Sequence, residues 1–194
     1  MSLVLALKNR NSIIAASDSP TPTDGSLAFG QFMNVPGRAI LLLAGNLAAV
    51  QRPIVETVLP KLTASTSAAT LAQLIQAALV LEVVPHLAGM AGRVEIIVAG
   101  IDPVRHTEEP GLYYLDSAQD FYLQPILGQF VAAGANAAVA EVIGDQDLTA
   151  ATDDDLINLA KECITTTKLR WPTSVAQHVQ FGVISPVRTR ILNF

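Results

Sequence analysis

The reactive or metal-ligating side chains of this sequence do not form a familiar catalytic or metal-binding pattern. Cys163 is the one cysteine, so no intrachain disulfide is possible, and its helical neighbourhood LAKECITT holds no thiolate-stabilising motif. His86, His106 and His178 lack the spacing of metal ligands. The aspartates at 153–155 favour the positive end of a helix more than a pair of catalytic carboxylates. We therefore expect a buried cysteine and no metal site.

Motifs that bind phosphates or activate a serine are absent from the sequence. There is no G-x-x-x-x-G-K-[ST] loop, no G-x-G-x-x-G fingerprint and no G-x-S-x-G turn. The formal net charge is −5 and no two cationic residues are adjacent, whereas nucleic-acid binding depends on clustered cations. We therefore expect no cofactor and no nucleic-acid partner.

The N-terminal segment MSLVLALKNR has short apolar runs and lacks the basic start of a signal peptide. No stretch approaches the ~20 apolar residues that a membrane-spanning helix needs. These features predict a cytoplasmic protein without a membrane partner.

Charged residues make up 15% of the chain and apolar residues 51%, against about a quarter charged in ordinary domains. So little charge indicates a large core, or apolar faces that contact other subunits.

Short apolar runs bounded by turn residues predict the strands. Residues 3–7 and 13–16 flank the polar turn KNRN and are apolar on both faces, as buried strands are. A loop at 17–26 precedes an edge-like strand within 26–35. Further strands are predicted at 39–45, 94–102, 111–117, 120–125, 126–134, 178–185 and 189–194.

Helical spacing of apolar residues predicts helices at 47–62, 67–87, 136–142 and 152–171. Asn46 is the expected N-cap of the first, which Pro53 must either kink or start late. Thr152 or Asp153 caps the last. The apolar stripe expected on 67–87 is Leu71, Leu74, Ile75, Ala78 and Leu81, widened by Leu79, Val80, Val83 and Val84.

The order of these elements is strands, helices, strands, helices, strands. Such segregation favours an α+β fold with two antiparallel sheets packed face to face and helix layers outside them. Residues 1–194 are expected to form a single domain. The over-wide apolar surface of 67–87 predicts that one side covers a sheet and the other contacts a neighbouring subunit, together with the helix at 47–62.

Several segments carry a family resemblance. The opening reads S-L-V-L-A-L-K, a polar turn, then S-I-I-A-A-S-D-S, which places Asp18 sixteen residues after Ser2. AILLLAGNLAAV (39–50), RVEIIVAGIDPVRHTEEPGLYYLD (93–116) with its G-x-Y-x-x-D ending, and FVAAGANAAVAEVI (130–143) follow in order. This ordered set, which covers most of the chain, resembles the β-type subunits of the proteasome. The resemblance implies the four-layer αββα sandwich of the N-terminal-nucleophile hydrolases.

The resemblance also implies a catalytic site. In that family an N-terminal Thr or Ser hydroxyl attacks a peptide carbonyl, the free α-amine takes its proton, and a lysine positioned by an aspartate assists. Ser2, once Met1 is removed, and Asp18 occupy the nucleophile and aspartate positions. The lysine position falls on Gln31, in a stretch without Lys or Arg between Arg10 and Arg38.

Other parts of the family site are missing as well. The serines of the glycine turn fall on Ala133 and Ala135, and the late aspartate falls near WPTS (171–174), which holds no carboxylate. Loss of preorganised charge beside a nucleophile costs about 3–4 kcal/mol of transition-state stabilisation.

Three functions remain open. The first is a catalytically degenerate, ring-forming proteasome-like β-type subunit of a protein-degradation assembly, in a homo-oligomeric ring or beside other proteasome-like subunits. The second is an active Ser-dependent peptidase that uses Ser2 on peptide or protein substrates. The third is a binding module that reuses the sandwich, since fold does not fix function.

Overall fold

The computed structural model of the protein describes residues 3–18, 31–36, 38–104, 107–172 and 179–193. Ser2, His106, His178 and most of the loop predicted at 17–26 lie outside these residues. In chain order the strands are β1 (Leu3–Lys8), β2 (Ile13–Ser17), β3 (Phe32–Val35), β4 (Ala39–Gly45), β5 (Val94–Val104), β6 (Thr107–Asp116), β7 (Gln124–Pro125), β8 (Phe130–Gly134), β9 (Gln180–Ile184) and β10 (Thr189–Asn193).

These strands form two five-stranded sheets in which all neighbours are antiparallel. The first sheet has the order β10-β9-β2-β1-β8 and the second has the order β3-β4-β5-β6-β7. β3 lies at the edge of its sheet, as its mixed sequence predicts. The prediction of an α+β chain with two antiparallel sheets is confirmed.

The helices are α1 (Ala48–Arg52), α2 (Ala68–Glu82), α3 (Val139–Ile143) and α4 (Asp153–Arg170). At Pro53 the α-helical pattern gives way to a π-helical segment, Pro53–Val58, and then to a 3-10 turn, Leu59–Lys61. Proline has no N–H to donate, and this change of hydrogen bonding is how the helix accommodates it. α2 ends five residues before the predicted boundary and is followed by a 3-10 segment, Val84–Gly89.

Three apolar clusters define the layers. Val4, Ala6, Ile13 and Ala15 of the first sheet pack against Ile40, Leu42, Ile97 and Ala99 of the second sheet. The alternate residues of β1 and β2 pack instead with α3 and α4, and those of β4 and β5 pack with α1 and α2. Each sheet is therefore covered by helices on one face and by the other sheet on its second face. This explains why β1, β2 and β4 are apolar at almost every position.

Two details of the sequence prediction are wrong. Asn46 does not cap α1, whose N-cap is Leu47 without a side-chain bond; the Asn46 amide donates to the Ala91 carbonyl at 2.7 Å instead. Leu81 is 75% exposed and does not belong to the buried stripe. At about 100° per residue, Leu81 lies about 120° around α2 from the centre of the stripe formed by Leu71, Ile75 and Leu79. No helix in the described part of the chain is long and apolar enough to cross a membrane.

Candidate functional site

The candidate site lies where β1 begins. The backbone N–H of Asp18, directly after β2, donates to the Leu3 carbonyl at 3.1 Å, and Val4 pairs with Ser17 in the same ladder. Asp18 is almost fully buried. Since Leu3 follows Ser2 in the sequence, Asp18 is held next to the residue that succeeds the candidate nucleophile. Ser2 itself lies outside the described residues.

β8 borders β1 on its other side. Gly134, the last residue of β8, pairs with Leu3, and Ala133 pairs with Val4. Ala133 is fully buried in the inter-sheet cluster, so its position offers a methyl group and no hydroxyl. The start of β1 is thus flanked by Asp18 and by the glycine turn, which the sequence separates by more than a hundred residues.

Gln31 directly precedes β3 of the second sheet, and its carbonyl accepts from the Leu43 N–H at 2.8 Å. The neighbouring pair in the β4–β5 ladder is Ala44 and Glu95. The carboxylate of Glu95 accepts from the Gly134 N–H of the first sheet at 2.9 Å, which joins the two sheets at this point. Gln31 and Asp18 therefore lie at the same end of the sandwich, one in each sheet. The Gln31 side chain itself carries no charge.

Glu95 is a site residue that the sequence analysis missed. It alternates along β5 with Ile97 and Ala99 of the inter-sheet cluster and is 9% exposed. Its Oε2 accepts from Gly134, and its Oε1 accepts from the Tyr114 hydroxyl at 2.5 Å. A single Glu within the apolar strand VEIIVAGID was the available signal, because a buried carboxylate needs hydrogen-bond donors.

Arg93 supplies the positive charge at this end. Its Nε and Nη2 donate to the two oxygens of buried Asp116 at 2.8 and 2.5 Å, and Nη2 lies 3.4 Å from Glu95 Oε1. The hydrogen bonds that Arg93 donates to Asp116 raise the pKa of Arg93, and burial raises the pKa of Tyr114. The Arg93 guanidinium is therefore held between the carboxylates of Asp116 and Glu95. Asp116 also accepts from the Ala118 N–H at 2.9 Å.

This distribution of charge determines what the end of the sandwich can do. Two buried carboxylates, Glu95 and Asp116, share the guanidinium of Arg93. Acyl transfer through an oxyanion needs positive charge or free N–H donors aimed at that oxygen. The Gly134 N–H is already used by Glu95. Arg93 and the Gly134 N–H are both bound to carboxylates and are therefore not free to stabilise an oxyanion.

Cys163, Asp153 and Asp155 lie on α4 and take part in its packing and capping. Burial, its largest cause, raises the pKa of Cys163 to about 12, so its thiol stays protonated inside α4. Asp155 forms a reciprocal capping box with Thr152 at the start of α4, and Asp153 accepts from the Ser12 hydroxyl. His86 is exposed on the 3-10 segment after α2. Of WPTS, Trp171 and Pro172 end the helix and residues 173–174 lie outside the described ranges.

Across the described ranges, no group of three or more His, Cys, Asp or Glu side chains is arranged to hold a metal ion. Comparison of the chain with protein-family models and with curated proteins found no match in either set.

Proposed function

We propose that this chain is a ring-forming relative of the proteasome β-type subunits, with the N-terminal-nucleophile hydrolase fold and without peptidase activity of its own. It would serve as a structural subunit of a protein-degradation assembly. The observation that carries the proposal is the contact of Asp18 with Leu3 at 3.1 Å, since it brings the aspartate of the family motif to the start of the first strand.

The layer order supports the family assignment. Helices, sheet, sheet and helices stack in that order, and β1 lies inside its sheet between β2 and β8. The resemblance implies a buried first strand, and Leu3 to Leu7 of β1 are all buried. The glycine turn after β8 reaches the same end, as the order of the sequence motifs implies.

The side chains support the loss of activity. Gln31 replaces the lysine, Ala133 replaces a serine, and the guanidinium of Arg93 is bound to two carboxylates. Each loss removes a different part of the catalytic machinery, and together they remove the positive charge on which the chemistry depends.

The contrast between the two helix layers supports assembly. α2 carries one charged side chain in fifteen residues, Glu82, which accepts from the Thr57 hydroxyl at 2.9 Å. α4 carries seven charged side chains in eighteen residues. Val80 and Leu81 are exposed on α2. We propose that the face of α1 and α2 contacts a second copy of this chain and that the α4 face stays in solvent.

Substitution of matched exposed leucines tests the assembly. Leu81 on α2 and Leu169 on α4 are 75% and 77% exposed. Light scattering of the unmodified protein at micromolar concentration should give a mass several times 20.5 kDa. Leu81→Lys should reduce that mass to the monomer, whereas Leu169→Lys should leave it unchanged. A monomeric parent, or equal effects of the two substitutions, would overturn the assembly proposal.

A second candidate function is a Ser-dependent peptidase, which the burial of Asp18 beside Leu3 favours. The test uses protein from which Met1 has been removed, verified by intact mass, and compares it with Ser2→Ala on fluorogenic peptides. We expect no turnover from either. Turnover that disappears with Ser2→Ala would make the peptidase the better assignment.

A further inference from the structure

We propose that Glu95 is a positioning residue for the site at the start of β1. From the second sheet, its carboxylate fixes the end of β8 at the place where β8 meets β1. That the start of β1 is a functional site rests on the proposed function. The contacts of Glu95 do not depend on that proposal.

Gly134 is the point at which the chain leaves the first sheet. It pairs with Leu3, has a φ of +78°, and its carbonyl accepts from the Asn136 N–H in the turn toward α3. Its own N–H donates to Glu95 across the gap between the sheets. The acceptor for this strand end is therefore a side chain of the opposite sheet, and the position of the turn depends on that side chain.

Glu95 is matched to two donors at once. Oε2 accepts from the Gly134 N–H and Oε1 from the Tyr114 hydroxyl. A carboxylate has two acceptor oxygens, whereas the nearly isosteric Gln amide has one acceptor oxygen and one NH₂ donor. Glu95→Gln can still offer its one oxygen to the Gly134 N–H, because its NH₂ can donate to the Tyr114 hydroxyl oxygen, whereas Glu95→Leu removes both acceptors. A residue that only filled space would tolerate Glu95→Leu.

Asp116 provides the matched control. It is the cross-strand partner of Glu95, is equally a buried carboxylate, and is bound to the same Arg93. The contacts of Asp116, however, are with Arg93 and Ala118 and not with β8. Asp116→Asn thus disturbs the same charge network and leaves the acceptor of Gly134 in place.

Hydrogen–deuterium exchange with fragmentation that resolves Gly134 tests the proposal in the assembled protein. Glu95→Leu should speed exchange of the Gly134 amide on the order of tenfold or more, the effect of losing a charge-assisted hydrogen bond. Glu95→Gln keeps an acceptor for the Gly134 N–H and should restore most of the protection. Asp116→Asn should leave Gly134 near its original rate.

An unchanged Gly134 rate in Glu95→Leu, the same acceleration in Glu95→Gln as in Glu95→Leu, or the same acceleration in Asp116→Asn would each overturn the proposal. A monomeric protein or Ser2-dependent turnover would instead contradict the proposed function and leave these exchange rates as expected.

Discussion

The backbone N–H of Ala69, in the first turn of α2, donates to the Asp102 carboxylate of β5 at 2.7 Å. The second oxygen of Asp102 accepts from the Tyr113 hydroxyl at 2.6 Å. Burial, the largest cause, and the adjacent carboxylate raise the pKa of Tyr113, so its hydroxyl remains a donor. Asp102 therefore bonds the first turn of α2 to β5. α2 is the helix proposed to contact other subunits.

Asp102→Asn should lower the free energy of unfolding by about 1.5–3 kcal/mol, because Ala69 and Tyr113 lose their charged acceptor and the one amide oxygen can accept from only one of them. Urea unfolding followed by circular dichroism measures this. Asp145→Asn, the same change at an exposed position, is the control and should have almost no effect. Equal midpoints for Asp102→Asn and the unmodified protein would show that this carboxylate does not hold α2.

Gly45→Ala should prevent folding or cost more than about 3 kcal/mol, since the new methyl carbon would lie 1.9 Å from the Arg93 carbonyl oxygen. Gly45 also has a φ of +94°. Gly92→Ala separates the two causes, because Gly92 has a φ of +82° but its nearest neighbour would be 3.9 Å away. Gly92→Ala should cost only about 1–2 kcal/mol. Thermal unfolding compares them, and similar losses would mean that backbone strain alone decides the cost.

The strands could be predicted from the sequence because each is a short apolar run between turn residues. The runs at 3–7, 13–16 and 39–45 correspond to β1, β2 and β4. The contact of Asp18 with Leu3 followed from the family resemblance and not from local pattern.

The environment of Glu95 could not be predicted, because its partners Tyr114 and Gly134 lie 19 and 39 residues away in the sequence. Hydrogen bonds between sheets depend on register, and register is a property of the whole fold. The sequence predicts Leu81 in the buried stripe because its side chain is apolar. The orientation of α2 on the sheet instead turns Leu81 toward solvent.

Cys163 should be unreactive toward thiol reagents in the folded protein at pH 8. Its pKa of about 12, against an ordinary 9.0, leaves about a thousandfold less thiolate, and the side chain is buried. Modification followed by mass spectrometry should proceed only as the chain unfolds. Leu169→Cys provides an exposed thiol on the same helix and should react at once. Modification of both thiols at similar rates would contradict the packing of α4.

Thr152→Ala should destabilise the protein by about 1 kcal/mol at pH 7, and by less at low pH. The Thr152 hydroxyl donates to Asp155 at 2.7 Å, and this bond, the largest cause, lowers the pKa of Asp155. A carboxyl whose pKa is lowered by folding contributes fully above its unfolded value, about 4, and loses the contribution as the pH falls through the lower folded value. The thermal midpoints of Thr152→Ala and the unmodified protein should therefore converge between pH 7 and pH 3. The difference that remains reflects the bond that the Asp155 N–H donates to the Thr152 hydroxyl oxygen. Ser67→Ala removes the N-cap of α2, whose hydroxyl bonds to Thr70 and not to a carboxylate, so its cost should change less with pH than that of Thr152→Ala. If both variants showed the same pH dependence, the titration of Asp155 would not be its cause.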